Sequence, residues 1–471
     1  MTGGRNLPKL LNTILSSFMD LCRCDGGSIF TLRRDEGGKQ LLVFESMVTR
    51  SIRLHQVPEH LRDLRFALDS SSMVGRTATE RAFQKASFAG ETSPRVDAIL
   101  SYTTRNILSA PLISPRGDLV GVVQLLNKLP EGVQGFDEQD ERLCAAIAGQ
   151  AALAIENSML LDEQEQLLEG FVNACVTAVE ARDPVTSGHS TRVSDYTVSL
   201  AEAVSRTETG PLRELRFSDT QLREIRYAAM LHDIGKISVK EEVLNKEKKL
   251  LPWELETIRM RLRLMRANFK LREQAGVGNF SRELRKLEDA WALIRDANEP
   301  SVLPAAASAA LGELFALNVT TDEGDVLHAL TDQEGFKLSI RKGSLTETER
   351  VEIERHVTNS FHILKMVPWS RGLELVPEIA YRHHEKLDGS GYPCGSTETE
   401  IPVQSRMLTI CDIYDALTAD DRPYKRSLPT ERALSILEDE VKHGKIDGQL
   451  FQVFVAGRIH ELFRTVAKRA A

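Results

Sequence analysis

Short apolar runs separated by turn residues fill the first third of the chain. Gly27–Leu32 and Leu41–Val48 read as strands on either side of a Gly37-Gly38 turn, and Asn106–Leu112 and Leu119–Leu126 as a second pair around Ser114–Asp118. Leu10–Met19, just after Pro8, has its apolar residues at helical spacing. This predicts an α+β domain over residues 1–157, an antiparallel sheet with flanking helices. The pattern then becomes one long helix, 138–183, in which Ile147, Ala154, Leu161, Leu168 and Cys175 recur every seven residues. Leu153, Leu160, Leu167 and Ala174 run beside them. Such a stripe predicts a parallel dimer seam, weakened at Gly170, and hence a homodimer.

Residues 165–471 carry few strand signals and many amphipathic stretches, which predicts an all-α domain. Its middle, 252–341, holds charged helices (Trp253–Gln274, Ser281–Asp296) and no chemical motif, and reads as an insert. A faint echo brackets it: Leu250, Glu254 and Ile258 match Leu345, Glu349 and Ile353 in spacing, with Arg261 where His356 stands. Coincidence between two amphipathic helices explains that match equally well.

Composition changes the picture in three ways. With 42% hydrophobic and 27% charged residues among 471, the chain is globular and large enough for two or three domains. A formal charge of −8 argues against a general nucleic-acid binder, whose affinity comes from neutralising phosphates. No apolar run reaches the ~20 residues of a bilayer span, the N-terminus lacks a secretory core, and the six cysteines form no CxxC pair. A cytoplasmic protein with reduced thiols and no membrane association is the expectation.

The chemistry concentrates in the last domain. His189, the pair His232-Asp233, His356, the pair His383-His384 and Asp412 all lie in helical or helix-edge patterns. A lone histidine is more often a satisfied core residue, and His55, His60, His328, His362, His443 and His460 take that reading. Adjacent ligand-capable pairs are harder to dismiss, because neighbours on a helix point about 100° apart and can serve different sides of one polynuclear centre. A carboxylate at a buried helix end can bridge two cations. Imidazoles fill the other positions without adding negative charge, so an anionic substrate can still enter. Gly389 and Gly391 allow close backbone approach or positive φ. Tyr392 offers a ring and a hydroxyl, and Arg422 and Lys425 are natural phosphate clamps.

These residues resemble the HD-GYP branch of the HD phosphohydrolase superfamily. The match runs through Asp183-Pro184 to His189, His232-Asp233 with Lys236, Leu345-Thr346 leading to His356, His383-His384 with Gly391-Tyr392-Pro393, Asp412, and Arg422-Pro423-Tyr424. The resemblance implies a phosphodiesterase that hydrolyses cyclic di-GMP to linear pGpG, and onward to GMP, by a bridging-hydroxide two-metal mechanism. It implies that His189, His232, Asp233 and Asp412 hold one metal, and that Asp233 is shared with a second held by His356, His383 and His384. Lys236 would contact the scissile phosphate. Tyr392, Gly389, Gly391, Arg422 and Lys425 would bind substrate. Val185 stands where members that look trinuclear carry a glutamate, which favours two metals. With nitrogen and carboxylate ligands and no thiolate, Fe or Mn is the favoured pair. The competing readings are a catalytically weak cyclic di-GMP-binding scaffold and a generic HD-superfamily nucleotide phosphohydrolase. A generic HD site needs neither the second histidine pair nor the Gly-Tyr-Pro loop.

Upstream, Asn127-Lys128, Phe136 and Asp140-Glu141 follow a predicted strand, and with Asp25–Phe30 they make 1–157 resemble a GAF domain. The pattern is similar to that of cyclic-nucleotide-binding members, which implies cAMP or cGMP as a candidate effector. The alternatives are another small effector, and a purely dimerising domain in which a Lys128–Asp140 salt bridge pins the loop with no direct ligand contact. Fold alone does not choose between them.

Overall fold

The computed structural model describes residues 6–35, 37–51, 64–87, 102–130, 135–183, 188–321, 324–419 and 427–463. Two compact units divide at 170/171.

The first unit is built on a six-stranded antiparallel sheet in the order β3-β2-β1-β6-β5-β4. Its strands are β1 (Cys24–Arg34), β2 (Gln40–Thr49), β3 (Arg65–Ala67), β4 (Gln84–Ser87), β5 (Asn106–Ile113) and β6 (Leu119–Lys128). All four strands read from the sequence are present, one or more residues longer at their ends. β1, β5 and β6 are covered on both faces, which is why their apolar runs are nearly continuous rather than alternating. Helix α1 (Asn6–Leu21) lays Leu7, Leu11, Leu15 and Phe18 on one face. Gly27 makes that approach possible, because a Cβ there would stand 2.8 Å from Leu15. On the other face Phe30, Phe44, Tyr102 and Val122 pack with Val74 and Ala78 of α2 (Met73–Glu80).

Helix α3 (Glu138–Glu180) is 43 residues long, and Asp137 caps it by accepting from the Gln139 and Asp140 amides at 2.8 and 3.0 Å. Cys144, Ala148, Ala151, Ala152 and Ile155 complete the first core. Beyond them Leu160, Leu161 and Leu167 are exposed. An 18-residue window of α3 reaches a mean hydropathy of 1.3. By length and composition alone this helix is apolar enough to cross a membrane, a test that core helices also pass, although no run of consecutive apolar residues in the sequence is long enough. The reason is that its polar residues are spaced out along the helix, so a count of consecutive apolar residues misses it.

The second unit is helical, with α4 (His189–Ser205), α5 (Asp219–Leu231), α6 (Pro252–Gln274), α7 (Ser281–Ala297), α8 (Ala305–Phe315) and α9 (Asp332–Leu338). It continues with α10 (Glu347–Lys365), α11 (Val376–Tyr381), α12 (Val403–Thr418), α13 (Thr430–Lys442) and α14 (Gly448–Ala456). The insert has its own core, formed by Ile258, Leu262, Met265, Phe269, Leu287, Ile294, Leu311 and Leu338. It also holds an antiparallel hairpin, β7 (Asn318–Thr320) and β8 (Val326–His328), which an all-α reading misses. Three-residue strands are too short for a period of two to register in the sequence, and only Val319 is buried strongly.

The echo around the insert has structural content. Glu254 accepts the Leu251 amide at 2.9 Å and pairs with Lys337 at 2.6 Å. Glu349 accepts the Thr346 amide at 2.8 Å and pairs with Lys246 at 2.7 Å. The two helices start alike, but the residue seven places on differs. Arg261 makes a bidentate pair with Glu334 at 2.7 and 3.0 Å, while His356 faces the other histidines.

Candidate metal centre

Five helical elements converge on one spot. Helix α5, opened by a Ser218–Gln221 capping box, ends at His232, and Asp233 leaves helical geometry at φ −98°, ψ 6°. The short 3-10 turn Ile234–Ser238 that follows presses on α10. A Cβ on Gly235 would lie 2.0 Å from the His356 carbonyl, so only glycine fits. Ser360 closes this contact, accepting from the Gly235 amide at 2.8 Å and donating to the His232 carbonyl at 2.7 Å. His189 opens α4 behind Gly188 at φ +68°. The Glu180 carboxylate accepts the Gly188 and Ser190 amides at 2.9 and 3.3 Å, satisfying the free N–H groups of that helix start. His383 and His384 follow α11, with the His383 carbonyl held by Thr409 at 2.7 Å, and Asp412 lies on α12.

His232, His356 and His383 are bonded alike. Each Nδ1 donates to the carbonyl three residues back: Ala229 at 2.7 Å, Ile353 at 2.6 Å and Ala380 at 2.6 Å. A carbonyl can only accept, so each Nδ1 carries a proton and each Nε2 is the ring nitrogen left turned inward. The buried Nε2 of His383 has no hydrogen-bond partner among the described residues. His189 differs: its Nδ1 faces Asp415 at 2.8 Å, and Asp415 is gripped by Arg192 at 2.7 and 3.0 Å.

Asp233 looks two ways. Its Oδ1 lies 3.1 Å from His356 Nε2, and its Oδ2 lies 2.7 Å from Lys236 Nζ, 3.4 Å from His232 Nε2 and 4.0 Å from His189 Nε2. Asp412 Oδ1 stands 3.2 Å from His189 and 3.9 Å from His232. Three overlapping groups have their ligand atoms within 4.8 Å of one another: His356-His383-His384, His189-His232-Asp233 and His232-His383-Asp412. All seven residues singled out in the sequence are therefore in one place.

The electrostatics are those of an anion-rich hole in a dry wall. Burial opposes ionisation of Asp233 and Asp412, yet Lys236, His232 and His189 hold both well below the carboxylate range. Burial pulls His189 down, but Asp412 and Asp415 overcome it and raise it to about 9. Burial wins at His384, lowered to about 3, and at His383. Burial also opposes the charge on Lys236, which Asp233 and Asp183 restore. Cys411, beside Asp412, is pushed up to about 12 by burial, so it stays a thiol. Inward imidazole nitrogens and two ionised carboxylates suit hard or borderline divalent cations.

The Gly-Tyr-Pro loop is folded over this spot. Glu385, buried, accepts the Cys394 and Ser396 amides at 2.7 and 2.8 Å, and the Tyr392 ring lies 4.8 Å from that of His384. Burial and the Asp233 and Asp412 carboxylates push the Tyr392 phenol up, so it remains a donor. Gly389 has φ +78°, whereas the space a side chain would need at Gly391 is filled by Glu385 and Lys386. Arg422 and Lys425, and Val185 upstream, lie outside the described residues.

Asp415, Arg192, Ser360, Glu180 and Thr409 were not singled out in the sequence. The Asp415 spacing from Asp412, one helical turn, is the one signal that was available. Of the histidines read as core, His328, His362 and His443 are at the surface, because their helix or strand positions face outward. His460 is half-buried beside Phe454, and His55 and His60 lie outside the described residues.

In the first unit the Asn127 motif is internally engaged. Asn127, at φ +59°, accepts the Arg105 amide at 2.6 Å and donates to the Thr103 carbonyl at 2.8 Å. Lys128 pairs with buried Asp140 and donates to the Cys22 carbonyl at 2.8 Å, with the Phe136 ring 5.9 Å away. Glu141 pairs with Lys85 at 2.5 Å.

Residues 6–155 match the family model for the GAF domain, and 186–324 and 332–450 match two models for the HD domain. The chain is similar to three curated proteins. The 3'3'-cGAMP-specific phosphodiesterase 1 of Vibrio cholerae is 42% identical over 115 residues, 24% of this chain and 26% of that protein. The 3'3'-cGAMP-specific phosphodiesterase 3 of the same organism is 26% identical over 336 residues, 71% and 47% respectively. A cyclic di-GMP phosphodiesterase of Pseudomonas aeruginosa is 35% identical over 115 residues, 24% and 27%. The chain thus spans less than half the length of each of these relatives.

Proposed function

We propose that this chain, which joins an N-terminal GAF domain to an HD domain of the HD-GYP type, is a metal-dependent phosphodiesterase of cyclic dinucleotides. The observation that carries the reading is the shared bonding of His232, His356 and His383, whose Nδ1 protons are spent on carbonyls so that each Nε2 is turned toward two ionised carboxylates. Such outer hydrogen bonds orient imidazoles for cations, and neutral side chains packed for their own sake would not leave a buried Nε2 without a partner.

In this reading His189, His232, Asp233 and Asp412 would hold one cation, and His356, His383 and His384, with Asp233 shared, would hold a second. Fe or Mn is the favoured pair. Bound there, divalent cations would supply Lewis acidity toward a phosphodiester and acidify a water. The chain's own groups do the rest. Lys236, kept cationic, offers a hydrogen-bond donor to a phosphate oxygen and balances its growing charge. Tyr392 keeps its proton and donates at the rim, beside Gly389 and Gly391. Arg422 and Lys425 are the proposed phosphate clamps. Linear pGpG is the proposed product from cyclic di-GMP, with GMP after a second cut. The names of the relatives make 3'3'-cGAMP the second substrate to try.

Regulation is assigned to 1–157, with a cyclic nucleotide such as cAMP or cGMP as the candidate effector and 138–183 as the connecting helix into 165–471. What supports the connection is Glu180 in the last turn of α3, which holds the two amides flanking His189. A homodimer seamed along α3 and a reducing, cytoplasmic setting complete the proposal.

The test is direct. Purified chain loaded with Mn or Fe(II) is given cyclic di-GMP and 3'3'-cGAMP, and the products are separated by chromatography. Linear dinucleotide is expected. A fully metal-loaded protein that leaves both substrates intact refutes the activity and favours a binding scaffold.

A further inference from the structure

Helix α6 of the insert is apolar on two opposite faces. One face carries Ile258, Leu262, Met265 and Phe269 into the insert core. The other carries Trp253, Met260, Leu264 and Leu271, which are 63%, 56%, 56% and 64% exposed. With Thr257 and Ala267 between them, these residues are spaced alternately by four and three over the length of the helix, the period of a two-helix seam. They leave on the order of 500 Å² of apolar surface uncovered, at the upper end of what monomers expose.

We propose that this face pairs with the same face of a second copy of the chain, the two α6 helices running antiparallel. The flanks of the seam decide the partner and the direction. On one flank Glu254 is buried against Lys337 and Arg261 is engaged with Glu334, so that side is closed by the insert itself. On the other flank Glu256, Arg263 and Lys270 are exposed. Parallel pairing sets an open flank against a closed one. Antiparallel pairing sets open against open on one side and closed against closed on the other, and the charges favour it. It brings Glu256 to the exposed Lys270 of the second copy, whereas parallel pairing brings Glu256 to Arg261, already taken by Glu334.

That register is also complementary in shape and charge. Trp253 meets Leu271 of the second copy, Met260 meets its Leu264, and the small Thr257 meets its Ala267. Each layer then occurs twice about a two-fold axis near Leu262. Glu256 faces Lys270 of the second copy at both ends. The cost is Arg263 meeting its own copy near the axis, a like-charge contact that stays in solvent, where screening is strong. The insert, which contributes nothing to the metal centre, thereby gains a role as an assembly surface.

Cysteine cross-linking of the full chain tests the register. The background carries Cys394→Ser and Cys175→Ser, since those thiols are exposed and half-buried. Arg263→Cys alone is expected to join two chains through a short bis-maleimide. Glu256→Cys alone and Lys270→Cys alone are expected to stay at background, because each lies about 20 Å from its own copy along the seam. A mixture of those two proteins is expected to cross-link. Adding Leu264→Glu, at an exposed position, to the Arg263→Cys chain should return its yield to background. Absence of Arg263→Cys cross-linking, or equal cross-linking by every single variant, overturns the proposal. So does an Arg263→Cys yield that Leu264→Glu leaves unchanged.

Discussion

At the scale of single residues, the candidate centre is held in place by side chains that stand behind its imidazoles. Asp415 is 2% exposed, holds His189 through Nδ1 at 2.8 Å, and is itself fixed by both branches of Arg192. A carboxylate behind a ligating imidazole fixes its tautomer and raises its basicity. Asp415→Asn is expected to weaken metal binding about 10–100-fold while leaving helix content unchanged. Chelator competition and circular dichroism measure the two. An unchanged affinity would mean that the charge on Asp415 is not needed behind the ring. Protons report on the same geometry. Metal-free His189 titrates at about 9 because Asp412 and Asp415 outweigh its burial, while His384 sits at about 3. Below about pH 9 a cation must therefore expel the His189 proton, and above it there is none to expel. Affinity should rise with pH through neutrality and level off near pH 9, with proton release falling to match. Calorimetry in buffers of different ionisation enthalpy reads that release. His384, neutral throughout, contributes no slope there.

At the scale of elements, the metal centre is a set of helix ends locked together by backbone contacts. The 3-10 turn after His232 and helix α10 touch through Gly235 and Ser360, so the His232-Asp233 pair and His356 move as one body. Gly235→Ala forces a methyl into the His356 carbonyl. It should cost at least the ~1–3 kcal/mol of overpacking and loosen metal binding with it. Denaturant unfolding and metal titration of the same sample check both halves. Thr346→Ala removes only the hydroxyl that accepts the Glu349 amide at 3.3 Å at the start of α10. It should cost about 1 kcal/mol of stability and leave metal stoichiometry intact. The contrast separates a helix that is merely stable from one that is correctly placed. It also shows what the sequence made legible. His232-Asp233 and His383-His384 stood out because two ligand types side by side are rarely used for packing. Ser360 and Asp415 did not, since one hydroxyl or carboxylate on a helix reads as solvated surface until the fold buries it. The strands Asn318–Thr320 and Val326–His328 escaped for a different reason: their length gives no periodicity to detect.

At the scale of the whole molecule, the two units store their information differently. Four strands of the first unit's sheet were readable because each is an apolar run beside a glycine or proline turn, and Gly117 at φ +88° does what its position in Ser114–Asp118 required. In contrast β3 and β4, three and four residues long and largely polar, gave no such run. The ligands of the second unit lie as far apart as His189 and Asp412, so sequence order alone says nothing of their meeting. A resemblance brought them together, and the folded helices supply the reason. The same segregation makes a thermodynamic prediction. Every candidate ligand named above belongs to the unit after residue 170, and among the described residues no such group of side chains lies in the sheet domain. A cation that binds only the folded centre stabilises that unit by about 2.7 kcal/mol at a free concentration a hundred times its dissociation constant. Scanning calorimetry of the full chain should therefore resolve two transitions. Mn or Fe(II) should raise one and leave the other where it was, and a chelator should reverse the shift. If both transitions climb together, the units do not unfold independently. If neither moves, the imidazoles do not bind the cation.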